Sequence, residues 1–317
     1  MTELSPRTVK TVLGHQKAMA QFQEAYAAGR VHHGWLITGP QGIGKASLAY
    51  YLARIILGAE DFSSPAGRRV TAGTHGDLLE ISRQYDSKKD RLKSEITVAD
   101  VQPIQSFFHQ TAGEGGWRVV IIDGAEYLNR FAANALLKIL EEPPAKAILF
   151  LTTSSPGMLL PTLKSRCRLL ALSPLSDENM RRLLPTIEET IIKRSHGSPG
   201  RALFLSQGQN SDIEALVDKL ARGDIFMTGE VWQFTAKIAR DNKSFTFFFD
   251  QLSEALAIEA KKHVTQGDLA QAALIAQKLS DLQSLWQKTD QLNLDKTESI
   301  REAFALIKAK DYKFYNV

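Results

Sequence analysis

The residues able to do chemistry in this chain are few, and they point to phosphate. Gly39-Pro-Gln-Gly42-Ile-Gly44-Lys45 has the G-x-x-x-x-G-K spacing of a phosphate-binding loop. Glycines at 39, 42 and 44 let backbone amides turn inward onto anionic oxygens. A helix beginning at Lys45 would add positive potential, and the lysine supplies a point charge. The next position normally carries the hydroxyl that holds Mg²⁺. Here it is Ala46, and Ser47 comes one residue late, about a third of a helical turn away. Phosphate binding survives this change, whereas metal positioning is compromised. A second polar group is Asp123, which ends the apolar run Trp117-Arg118-Val119-Val120-Ile121-Ile122. Two hydroxyls, Thr152 and Thr153, end another such run.

These groups need a scaffold. The runs at 117–123 and 147–153 are short and apolar, as strands covered on both faces are, and 34–38 and 77–82 also read as strands. Open α/β sheets place ligands at the carboxyl ends of such strands, where Lys45 and Asp123 fall. Between the third and fourth runs, Leu128, Phe131, Ala132, Ala135, Leu136, Ile139 and Leu140 form one apolar helical face. Glu141-Glu142-Pro143-Pro144 ends that helix. Helices are also expected over 9–30, after Lys45, over 98–108 and over 175–192. Residues 58–76 read as a connection rich in Gly, Ser and Pro. His32 and His33 precede the first strand and are expected on opposite faces, which makes a shared metal ion unattractive.

Three stretches carry a family resemblance: Asp123-Gly-Ala-Glu-Tyr-Leu-Asn129, Ala133-Asn-Ala-Leu-Leu-Lys-Ile-Leu-Glu-Glu-Pro-Pro144 and Ser165-Arg166-Cys167. Together they resemble the bacterial clamp-loader subunits of the AAA+ superfamily, over roughly residues 10 to 205. The resemblance implies a subunit of the DNA polymerase III holoenzyme, a nucleotidyltransferase. It makes Asp123 a Walker B aspartate, and Thr152 or Thr153 the sensor 1 hydroxyl, with Thr153 preferred. It makes Arg166 an arginine finger acting in trans on a neighbouring subunit's nucleotide. It makes Arg201, in Gly197-Ser-Pro-Gly200-Arg201, the sensor 2 arginine. Active members place a glutamate directly after the Walker B aspartate; here that residue is Gly124, and Glu126 comes two later. The implied chain therefore hydrolyses little or no ATP itself and binds ATP or ADP weakly. The rival expectation is a catalytically active AAA+ ATPase, such as a loader motor subunit or a helicase loader. Implied partners are the delta and gamma/tau subunits, with the sliding clamp and primer–template DNA met through the assembled complex.

The remaining sequence narrows this further. With one cysteine, Cys167, no internal disulfide or multi-cysteine zinc site is expected, although relatives often carry a zinc module near residues 58–76. The net charge of +4 is uneven: residues 1–210 hold 25 basic and 19 acidic side chains, and the rest 14 and 16. Arg83 to Lys93 holds five basic and two acidic residues and is expected to be a solvated loop. No apolar run reaches membrane-spanning length and the start lacks an apolar signal core, so a cytoplasmic location is expected. After Ser206-Gln-Gly-Gln-Asn-Ser211 the chain reads as helical to Val317, with stripes at Phe245, Phe248, Phe249, Leu252 and Leu256, and at Ala273, Leu274, Leu279, Leu282, Leu285 and Trp286. The expected architecture is an α/β AAA+ module with a parallel sheet flanked by helices (1–172), a helical lid (173–208) and an all-α collar (209–317).

Overall fold

A computed structural model describes residues 5–87, 91–110, 113, 116–206, 211–221, 229–292 and 294–308. The chain divides into two compact units, 1–206 and 207–317. Among its described residues the first has seven strands: β1 (Gly34–Thr38), β2 (Leu78–Ile81), β3 (Tyr85–Asp86), β4 (Arg91–Leu92), β5 (Arg118–Ile122), β6 (Ala147–Thr153) and β7 (Arg168–Ala171). Five of them form a parallel sheet in the order β2-β5-β6-β1-β7. Every residue of β1, β5 and β6 is buried, which is why these stretches read as unbroken apolar runs.

Helices cover both faces. One face carries α1 (Gln16–Ala27) and α2 (Lys45–Ile56), whose Phe22, Leu48 and Leu52 pack on Trp35, Ile37, Ile121 and Phe150. Between α2 and β2 lies α3 (Pro65–Ala72). The other face carries α4 (Val98–Val101), α5 (Pro103–His109), α6 (Arg130–Glu141) and α7 (Pro161–Ser165), packed on Leu36, Val120, Ile122 and Leu151. Three short helices complete the unit: α8 (Asp177–Leu183), α9 (Glu189–Arg194) and α10 (Pro199–Ser206). Their Met180, Ile192 and Ala202 join the α1–α2 side of the core.

Several boundaries differ from expectation for local reasons. The first helix starts at Gln16, not near Val9, because Gly14 has φ +79° and Leu175 fills the space beside it. Pro103 splits 98–108 into α4 and α5, and Pro185 follows the break that ends α8. The connection 58–76 contains α3, capped by Ser64, whose hydroxyl accepts from Gly67 N–H at 2.9 Å. The guanidinium of buried Arg54 organises this segment, donating to the carbonyls of Arg7, Ala59 and Gly67 and to Thr71 Oγ1 at 2.8–3.2 Å. The stretch around Tyr85 forms the antiparallel pair β3–β4, not a plain loop; its residues 88–90 lie outside the described set.

Two side-chain placements are corrected. His32 and His33 lie on one side, their rings stacked with centroids 4.2 Å apart, because both precede β1 and escape its alternation. Phe131 is 73% exposed, so the buried face of α6 is made by Ala132, Ala133, Leu136 and Leu140 without it.

The second unit is helical: α11 (Ser211–Ala221), α12 (Gly229–Arg240), α13 (Asn242–Thr265), α14 (Leu269–Leu292) and α15 (Lys296–Lys308). Phe245, Phe248, Phe249, Leu252 and Leu256 of α13 are buried, and Phe248 stacks parallel to Phe304 of α15. On α14 the buried residues are Ala272, Ile275, Leu282, Leu285 and Thr289; Ala273 faces solvent. The expected linker 207–210 and the tail 309–317 lie outside the described residues.

Candidate functional site

The phosphate-binding loop leaves the carboxyl end of β1, and α2 begins at Lys45. Gly42 and Gly44 have φ of +73° and +102°, a backbone region closed to most side chains. The loop's carbonyl groups are engaged by neighbouring donors. Lys45 Nζ donates to the carbonyls of Gly39 and Pro40 at 2.9 and 2.8 Å, and to Ser154 Oγ at 2.8 Å. Ser198 Oγ donates to the Gln41 carbonyl at 3.0 Å, and Gly200 N–H to that of Gly42 at 2.9 Å. His15 Nε2 donates to the carbonyl of Ile43 at 3.0 Å. Five consecutive carbonyls, Gly39 to Ile43, are thus bound.

Burial pushes the Lys45 ammonium below its usual range, while the Glu126 and Asp123 carboxylates pull it back up. Burial likewise pushes the Asp123 carboxyl up, and the hydrogen bond from Thr152 opposes it. Burial holds the His15 imidazole low, which favours the neutral ring that its carbonyl partner accepts from.

Asp123 follows β5 directly, and its backbone N–H bonds to the Ile81 carbonyl at 2.9 Å. Thr152, not Thr153, is the hydroxyl beside it: Thr152 Oγ1 donates to Asp123 Oδ1 and accepts from Gly124 N–H at 3.0 Å. Neighbours along a strand point to opposite faces. Thr153 therefore leaves this site, and its Oγ1 accepts from Ser155 N–H at 3.0 Å. Glu126 sits in a one-turn helix at 125–127, and its Oε1 accepts from Ser154 N–H at 3.0 Å. Glu126 and Ser154 thus belong to the site although motif spacing pointed to neither. Their signal is long-range, since β5 and β6 must pair before 126 and 154 meet.

The remaining candidates are placed as follows. Ser47 is half-buried in the first turn of α2. Arg201 is at the start of α10, where its backbone N–H donates to Ser198 Oγ at 3.3 Å. That nitrogen would lie 3.3 Å from a Cβ placed on Gly42, so Arg201 adjoins the loop. Arg166 is elsewhere. Its carbonyl packs against Gly34, at the amino end of β1, while the loop leaves the carboxyl end. Cys167 is half-buried beside it, its thiol pushed up to about 12 by burial.

The residues present suit an anion better than a metal-bound triphosphate. The start of α2 fits phosphate oxygens, with Lys45 as counter-charge. Ala46 offers no oxygen for Mg²⁺, and Gly124 none for an attacking water.

The delta' subunit of DNA polymerase III from Escherichia coli (strain K12) is 36% identical over 203 residues, 59% of this chain and 58% of its own. The tau subunit from Salmonella typhimurium is 31% identical over 231 residues, 69% of this chain and 34% of its own. The delta' subunit from Bacillus subtilis (strain 168) is 29% identical over 273 residues, 84% and 74% of the two chains. The chain thus spans little more than half of the first relative and a third of the second. Residues 14–176 match the family described as DNA polymerase III, delta subunit, and the chain belongs to that family, with delta' subunits among its relatives.

Proposed function

We propose that the chain acts as a delta-prime-like clamp-loader subunit that braces an arc of subunits and supplies Arg166 to a neighbour's ATP. In this reading residues 1–172 are the AAA+ module, 173–208 the lid and 209–317 the collar that assembles with delta and gamma/tau. The assembly acts on the sliding clamp and primer–template DNA.

One observation carries the reading. The base of Arg166 adjoins Gly34, while its own phosphate loop begins after Thr38, four residues along the same strand. At ~3.3 Å per residue the two are about 13 Å apart, beyond an arginine's reach. Any phosphate that Arg166 meets then belongs to another subunit. The loop itself keeps amides and Lys45 for weak ATP or ADP binding, while Ala46 and Gly124 withhold what hydrolysis needs. These two substitutions disfavour a self-sufficient ATPase.

The test is co-purification with the other loader subunits, followed by ATPase assays with DNA and clamp. Arg166→Ala should leave assembly and folding intact, since one exposed arginine adds little stability. It should depress stimulated turnover at least tenfold, because such residues contribute about 10³ to 10⁵ where measured. Wild-type turnover in an intact Arg166→Ala complex would overturn the reading.

A further inference from the structure

The head of Arg166 is already occupied within its own chain. Nη2 makes an ion pair with Glu141 Oε1 at 2.7 Å, and Nη1 donates to the Thr162 carbonyl at 3.0 Å. Those two nitrogens form the edge that bridges a pair of phosphate oxygens, so the pairing excludes a second anion on that edge.

Everything beneath the head is fixed. Arg166 N–H bonds to the Leu163 carbonyl at 3.2 Å, and Cys167 N–H to that of Lys164 at 3.3 Å. A Cβ on Gly34 would lie 2.6 Å from Leu140 Cδ2 and 3.3 Å from the Arg166 carbonyl, so β1, the end of α6 and the arginine's backbone are packed tight. His33 Nε2 pins the same end of α6 by donating to the Leu140 carbonyl at 2.9 Å. The two charged heads are partly exposed, with side-chain exposures of 36% for Arg166 and 49% for Glu141.

We propose that Glu141 parks Arg166, holding its guanidinium in cis until a neighbouring subunit presents a nucleoside triphosphate. The inference rests on the reading of Arg166 as acting in trans. The pair has the strength such a device needs. A half-exposed ion pair shifts an equilibrium by about 1.5- to 5-fold. The several negative charges of a triphosphate in a water-poor interface outweigh it. Glu141 therefore restrains the arginine when no triphosphate is aligned and yields when one is. As a positioning residue it touches no substrate itself.

The decisive variant is Glu141→Gln in the reconstituted loader, which keeps size and removes charge. Without DNA, ATP turnover should rise about two- to fivefold, while the DNA- and clamp-stimulated rate stays near wild type. The rise should vanish when Arg166→Ala is also present, because a released arginine is its only cause. Glu142→Gln, which alters the exposed neighbouring carboxylate, should change neither rate. Glu141→Ala repeats the measurement with the carboxylate removed altogether. If Arg166→Ala alone leaves turnover unchanged, the trans reading fails and this inference with it. If Arg166→Ala depresses turnover but the Glu141 variants leave the unstimulated rate at wild type, or raise it equally without Arg166, parking alone is overturned.

Discussion

Gly200 and Gly42 meet backbone to backbone: Gly200 N–H donates to the Gly42 carbonyl at 2.9 Å. Neither has room for a side chain. A Cβ on Gly200 would stand 2.8 Å from Gly42 Cα, and one on Gly42 2.7 Å from Ser198 Oγ. The start of α10 is thereby seated directly on the phosphate loop. Gly200→Ala should force the two apart and lower stability by about 1–3 kcal/mol, the usual range for overpacking. Thermal denaturation of the variant checks this, and a melting point equal to wild type would contradict the contact.

The isolated chain should turn over no ATP measurably, given Ala46 and Gly124. Nucleotide binding should be weak and almost unchanged when Mg²⁺ is chelated, because Lys45 and the loop amides need no metal. Phosphate-release assays and calorimetry with and without chelator measure both. Steady hydrolysis abolished by Lys45→Ala, or tight binding lost with Mg²⁺, would reverse the account.

Arg54 donates to three backbone carbonyls and one hydroxyl from inside the fold. Arg54→Met fills similar space but removes the guanidinium from the Arg7 and Ala59 carbonyls, at about 1–3 kcal/mol for each left dry, while the Gly67 carbonyl keeps the Thr71 hydroxyl at 2.9 Å. A total loss of roughly 2–5 kcal/mol is expected after partial rehydration. Arg54→Lys should recover only part of it, since an ammonium cannot span the same fork. Denaturant titration distinguishes the three proteins.

His15 gives a pH signature. Its folded pKa lies below the unfolded value of about 6.5, so below that pH the unfolded chain binds the extra proton first. The stability it contributes is complete above pH ~6.5 and is lost progressively as the pH falls towards the lowered folded pKa. Between pH 7 and 5.5 the wild type should lose more stability than His15→Gln. Parallel curves would show that the buried ring plays no such part.

The central strands β1, β5 and β6 were legible because they are covered on both faces, and an unbroken run such as Val119 to Ile122 has few other homes, whereas β7, with three of its four residues exposed, was not expected. Lys45 and Asp123 were legible because a loop and a strand end impose fixed spacings. What escaped depends on meetings across the chain. Thr152 and Thr153 differ only in which face they take, and that requires the register of β6 against β5 and β1. Glu126 reaches Ser154, and Glu141 reaches Arg166, across 28 and 25 positions. Phe131 fits the apolar period of α6 yet faces outward, because periodicity shows where a stripe could lie and not how wide the core is. The helix α3 escaped because a Gly- and Ser-containing stretch looks like a loop until Ser64 and Arg54 are seen to organise it.

The five bound carbonyls of the phosphate loop have a consequence for genetics. Together with Lys45, which also reaches Ser154 after β6, they tie a residue before α1 and the start of α10 to the loop. A lesion there loosens joinery as well as any chemistry. Lys45→Ala would free the Gly39 and Pro40 carbonyls and the Ser154 hydroxyl together. A cell that fails with this variant need not be a cell that has lost a nucleotide. In this chain a loop shaped for phosphate also serves as a rivet.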